Sequence, residues 1–148
     1  MKSTFDNLVN FTAVKSEFGS SINANEAITF DETEINIGNG MNPSTGIFTA
    51  PVSGIYSFSF SGYIGQDVWH DANALLRVYR SDESDTIDLY DMIGTVGDMF
   101  QILQVSYTWT MSLDQSDEIY LKFPNNKLYV PYSNAKLARF YGQLVMAL

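Results

Sequence analysis

Residues 30–60, FDETEINIGNGMNPSTGIFTAPVSGIYSFSF, decide the fold. At their end Tyr56, Phe58 and Phe60 alternate with Ser57, Ser59 and Ser61. A period of two, large apolar against small polar, is that of a strand with one face in a core. Ala50-Pro51-Val52-Ser53-Gly54 comes just before, and its proline and glycine separate this strand from the one preceding it.

The same pattern extends outward in both directions. Toward the N-terminus, Val9, Phe11 and Ala13 share one face of a predicted strand over 8–14. Phe18–Asn25 reads as a loop, Ala27–Phe30 and Glu34–Ile37 as short strands, and Gly38-Asn39-Gly40 and Asn42–Gly46 as turns around them. Toward the C-terminus, strands over 74–80 and 86–90 flank an acidic tip, Asp82–Asp85. The longest alternation follows: Leu103, Val105, Tyr107, Trp109, Met111 and Leu113 against Gln104, Ser106, Thr108, Thr110 and Ser112. Its polar face carries no charge, which suits a sheet face covered by a neighbouring subunit better than one in water. Leu113–Leu121 reads as a hairpin, Leu128–Tyr132 as an extended stretch and Arg139–Val145 as a closing strand. Roughly ten short strands without a helical period predict an all-β fold, an antiparallel sandwich.

At 148 residues, with no linker, repeat or low-complexity stretch, the chain fits one domain over 8–148 behind a flexible segment, 1–7. Ten phenylalanines, nine tyrosines and two tryptophans supply the rings that fill the space between two sheets. Seventeen acidic side chains against eight basic ones give a net charge of −9, which repels nucleic acid and anionic lipid. The absence of cysteine removes disulfides, thiolate metal sites and cysteine nucleophiles together. No apolar run approaches the roughly 18 residues of a membrane span. Met1–Asn10 lacks the apolar stretch of a secretory signal.

Spacing within the opening stretch adds a resemblance. Phe30, Asn36, Phe48, Gly54, Tyr56, Phe58 and Phe60 fall where the globular head of complement C1q carries its signature, within the C1q/tumour-necrosis-factor superfamily. Met41 stands where that signature prefers an aromatic or leucine. Phe11-Thr12-Ala13-Val14 is similar to the family's opening strand, and Phe140-Tyr141-Gly142 to its closing one. Leu113–Leu121 resembles its Leu-x-x-Gly-Asp-x-Val-x-Leu segment, with Ser116 in place of the usual glycine. The resemblance spans residues 8–148 and implies a ten-stranded jelly roll that assembles as a homotrimer. It also implies a secreted, extracellular protein, and hence that a sequence starting without a signal is a domain excised from a longer chain and given a start methionine.

Few residues offer chemistry. His70 is the sole histidine, adjacent to Asp71, and an extended chain points the two side chains apart; no nucleophile accompanies them. Trp69 and His70, in a predicted loop, are candidate ligand contacts, ordinary loop packing being the alternative. Asp82, Asp85, Asp88 and Asp91 recur every three residues, which a strand scatters into a solvated acidic rim. Several members of the resembling family bind calcium through acidic residues in the loop before the long strand. On that resemblance Asp91 and Asp98 are candidate calcium ligands, the carboxylate chemistry being right for a hard cation. No cofactor is otherwise expected. Asn10-Phe11-Thr12 is formally a glycosylation sequon, or simply a strand asparagine.

The function that follows is a non-enzymatic trimeric recognition module. It binds protein or carbohydrate ligands by multivalent contact, in innate recognition or extracellular signalling. The alternative is a structural domain that trimerises and caps a secreted or collagen-like assembly. Nucleic acid and membrane insertion are not expected.

Overall fold

The segments that alternate in sequence pair as strands, and a computed structural model describes residues 8–66, 73–81, 86–92, 101–130 and 138–148. The side chains of residues 66, 73, 91, 92 and 101 are not among those described, and the N-terminal segment 1–7 lies outside them. Among the described residues there are twelve strands: β1 (Asn10–Lys15), β2 (Ser21–Ile22), β3 (Glu32–Ile37), β4 (Met41–Asn42), β5 (Ile47–Thr49), β6 (Gly54–Gln66), β7 (Asn73–Arg80), β8 (Thr86–Met92), β9 (Gln101–Leu113), β10 (Glu118–Lys122), β11 (Lys127–Tyr129) and β12 (Ala138–Ala147). Two of them, β2 and β4, are only two residues long, so the expected count of ten is close.

The strands form two antiparallel sheets, the all-β jelly-roll sandwich expected. The first sheet is ordered β2-β11-β6-β12-β1-β3, with β9 on the other side of β6. The second is ordered β4-β5-β10-β7-β8. Strand β6 is the hub, pairing with β9 along its whole length, with β12 over 54–61 and with β11 over 63–65.

Alternate residues of facing strands meet in one aromatic core. Phe11, Phe48, Tyr56, Phe58, Phe60 and Phe140 are all essentially inaccessible. Phe58 lies at the centre of the cluster, its ring stacked on Trp109 at 5.5 Å and edge-on to Phe48 at 5.7 Å. The Tyr56 hydroxyl donates to the Val52 carbonyl at 2.6 Å, which satisfies the polar end of a ring otherwise in the core; burial raises its pKa above the ordinary range.

Two local expectations are corrected. Ala27–Phe30 is not a strand: Ala27 makes one isolated bridge to Lys122, and the next amides go to different partners, Ile28 to the Leu121 carbonyl and Phe30 to that of Pro43. A segment whose donors are split between two neighbours builds no continuous ladder. Leu113–Leu121 is not a hairpin either. β9 belongs to the first sheet and β10 to the second, so the turn between them crosses the sandwich. Asp117 fixes that turn, its carboxylate accepting from the Asp114 amide at 2.9 Å and from Arg80 Nη1 at 2.9 Å.

Ser116, in the same turn, has a φ of 75°, the left-handed region where a Cβ is crowded. This accounts physically for the glycine usual at that place in the resembling sequences. Replacing Ser116 by glycine is expected to raise stability by up to about 1 kcal/mol, strain relief outweighing the added freedom of the unfolded chain. Thermal denaturation checks this, and an unchanged or lower Tm would mean that the serine conformation is already compensated.

Candidate functional site

The outward face of the first sheet is where polarity and charge part company. Successive strands bring their polar positions into register across β9, β6, β12, β1 and β3. One row reads Thr108, Ser59, Tyr141, Thr12, Ile35 and the next Thr110, Ser57, Gln143, Asn10, Ile37. Ser106 and Ser61 begin a third row, which continues to Arg139. Arg139 is the basic residue of this patch, and its Nη2 lies 3.1 Å from the Glu34 carboxylate. Everything else in the two central rows is hydroxyl, amide or isoleucine.

The face covers much of the area an interface needs. Five strands at the usual spacing give a width of about 19 Å, and the nine residues from 104 to 112 a length of about 26 Å. That flat area, about 500 Å², is roughly three-fifths of the ~800 Å² per partner of a stable association. Ile35 and Ile37 are 45% and 50% exposed at its border, apolar surface that water solvates poorly. Within the patch the Tyr141 hydroxyl donates to Gln143 Oε1 at 2.7 Å, holding both side chains flat on the sheet. Asn10 Oδ1 is buried without a hydrogen-bond partner. Asn10 itself sits mid-sheet between β12 and β3, the first residue of the sequon.

The residues of the sequence motif do different work. Asn36 clamps a turn, its Nδ2 donating to the Met41 carbonyl at 2.8 Å while its Oδ1 accepts from the Met41 amide at 3.2 Å. Phe30, Phe48, Tyr56, Phe58, Phe60 and Phe140 fill the core. Gly54 and Gly142 are close-approach points: a Cβ on Gly54 would lie 2.5 Å from the Met146 carbonyl oxygen, and one on Gly142 2.3 Å from the Phe11 ring.

Of the candidate metal ligands, Asp91 lies in β8 opposite Ala74, and Asp98 lies outside the described residues. Among the described residues no group of three His, Asp or Glu converges on one point, and the side chains of Asp91 and Asp98 are not among those described. Trp69 and His70 also lie outside the described residues. The uncharged rows on β9 and β12 were legible in the sequence. The contribution of β1 through Asn10 and Thr12 was not, although the run of serines at 57, 59 and 61 was the signal that the face continues across β6.

The outward face of the second sheet differs in kind. Arg77 forms a two-pronged pair with Asp88, Nη2 to Oδ2 at 3.1 Å, and the guanidinium holds the Asp88 carboxyl below the usual carboxylate range. Beside it the rings of Tyr79 and Tyr120 lie parallel, centroids 5.2 Å apart. Charged and aromatic groups together mark this as the face turned to solvent.

Comparison with known proteins agrees with the geometry. The family model described as "C1q domain" matches residues 10–145. Human complement C1q tumor necrosis factor-related protein 3 is 32% identical over 114 residues, covering 72% of this chain; the chain spans 40% of the length of that relative. The globular domain of zebrafish complement 1qA superposes with a TM-score of 0.66 at 20% identity, over 95% of this chain and 99% of the other. The Eiger TNF of S. frugiperda superposes with a TM-score of 0.68 at 10% identity, over 96% and 95%. At those identities the two structures speak for the fold alone.

Proposed function

The chain belongs to the C1q domain family, and on that premise we propose that it is a non-enzymatic recognition module acting as a homotrimer outside the cell. One observation carries the assembly: in a chain of net charge −9, the broad face of the first sheet presents two central rows with no charged side chain. A sheet face kept wet in so acidic a protein would carry acidic residues. Hydroxyls and amides without charge can be desolvated against a second copy at small cost, because each finds a partner there. Closed threefold symmetry then covers the face on every subunit and leaves no open, fibre-forming end. Asn10 lies within the covered rows, so the proposal carries it unglycosylated.

Sedimentation equilibrium at micromolar concentration is expected to give three times the 16.6 kDa chain mass. A monomer under those conditions refutes the assembly. Three copies would present three weak sites together, raising avidity by about 10²–10⁴ over one on a repetitive target. Binding of the trimer to a panel of extracellular proteins and glycans tests recognition; no binding to any of them favours the structural alternative, a trimerising cap. Running the panel and a thermal melt in millimolar calcium and in chelator tests Asp91 and Asp98. A calcium-bound native state melts higher, and identical melts remove calcium from the proposal.

A further inference from the structure

Four of the basic side chains are committed to carboxylates: Lys15 to Asp31, Arg77 to Asp88, Arg80 to Asp117 and Arg139 to Glu34. Lys122 is not. Among the described residues no carboxylate pairs with it, in a protein that carries seventeen of them. Its ammonium lies instead 5.0 Å from the Tyr79 ring centroid and 5.7 Å from that of Tyr120. Beside Lys122, on the solvent-facing side of the second sheet, an open groove of about 300 Å³ is lined by Ala27, Thr45, Ile47, Tyr120 and Lys122. That volume is at the lower bound of small-molecule sites, room for about one sugar ring. Local chain geometry forms it: Ala27 bridges to Lys122, and the Asn42–Gly46 turn brings Thr45 over the end of β5.

We propose that this groove binds a carboxylate-bearing sugar ring, such as a uronic or sialic acid, with Lys122 as the cation for its carboxylate. The Tyr120 ring is an aromatic wall against which the C–H face of a pyranose packs; Tyr79, stacked 7° from parallel, holds that wall rigid. Ala27 and Ile47 give an apolar floor; the Thr45 hydroxyl at the rim already donates to the Asn42 carbonyl at 3.4 Å and accepts from the Ile47 amide at 3.2 Å, which leaves a sugar its second lone pair. A neutral sugar would use the wall and floor but leave the ammonium unanswered. An acidic polypeptide would bring further carboxylates against a surface that already repels them. Because the groove is on the sheet opposite the uncharged face, trimer assembly leaves it open. The inference rests on the recognition reading and names the ligand class for it.

The test follows backbone amide signals of the assembled 148-residue chain while sugars are added. Methyl glucuronide and sialyllactose are the acidic probes and distinguish the two sources; methyl glucoside is the neutral match. At least one acidic sugar is expected to shift the amides of Thr45, Ile47 and Lys122. It should bind about tenfold more tightly than the glucoside, the worth of one hydrogen bond to a charged group. Lys122→Gln, a half-exposed change that leaves the core intact, should reduce it to the glucoside level, and Tyr120→Leu should weaken all three sugars. Equal binding of acidic and neutral sugars, or no effect of Lys122→Gln, overturns the proposal. So does displacement of the same signals by a poly-glutamate peptide but not by sugars. Sugar-induced shifts confined to other residues overturn the groove and leave the recognition reading standing. Silence of the trimer toward every protein and glycan defeats that reading as well.

Discussion

Replacing Phe58 by alanine is expected to cost about 3–5 kcal/mol of stability, the range for deleting a fully buried phenylalanine. The high end is favoured by its neighbours. The ring lies 5.5 Å from Trp109, 5.7 Å from Phe48, 5.9 Å from Phe140 and 6.0 Å from Tyr56, so truncation leaves a void lined on most sides by other rings. Phe48, Tyr56 and Phe140 sit on strands paired on both sides and cannot collapse far into such a void. Chemical denaturation of both proteins at one fixed concentration measures the difference, since assembly makes apparent stability concentration-dependent. A loss below about 1 kcal/mol, the ordinary value for a random substitution, would mean that the core reorganises around the gap.

Gly142→Val is the second large effect, and here two physical tendencies oppose each other. Strand preference alone predicts a gain of up to about 1 kcal/mol, because glycine weakens a strand and valine favours one. Space predicts the reverse. Already the Cβ would stand 2.3 Å from Phe11 Cε1 and 2.8 Å from Phe58 Cδ1. Phe11 has nowhere to go, stacked on Phe48 at 4.9 Å and edge-on to Phe140 at 5.0 Å. Overpacking a filled core costs about 1–3 kcal/mol for added methylenes, so the steric effect wins and a net loss of at least about 2 kcal/mol is expected. A stabilised variant in thermal or chemical denaturation would show that the two phenylalanines yield more readily than their contacts imply.

How much of this was legible in the sequence differs from one residue to the next. Tyr56, Phe58 and Phe60 declared themselves because alternation is a property of neighbours in the chain. Trp109 did so for the same reason. The crossing at Ser116 could not be read that way, because a turn of four residues looks the same whether the following strand returns to its own sheet or passes to the opposite one. Ala27–Phe30 has the composition of a strand; what it lacks is a single partner along its length, and partners are decided by the rest of the fold. The groove was hidden for a related reason. Thr45, Tyr120 and Lys122 are brought together only by the ladder of β5 on β10 and the bridge from Ala27. Asp98, Trp69 and His70 fall outside the described residues, so the reading of their loops stands as a proposal.

The central place of β12 has a kinetic consequence. It lies between β1 and β6, hydrogen-bonded to both, so an early-made and a late-made strand of the domain are neighbours. When the ribosome has made residues 1–137, β1 and β6 exist but have nothing to join them. The first sheet is therefore completed only after residues 138–147 have been synthesised, by inserting a strand into the middle rather than adding one at the rim. Pairings of such long sequence separation are slow to form, and two unpaired edges stay open to other chains while they wait. Loss of these ten residues would remove the seam of the sheet instead of trimming its border.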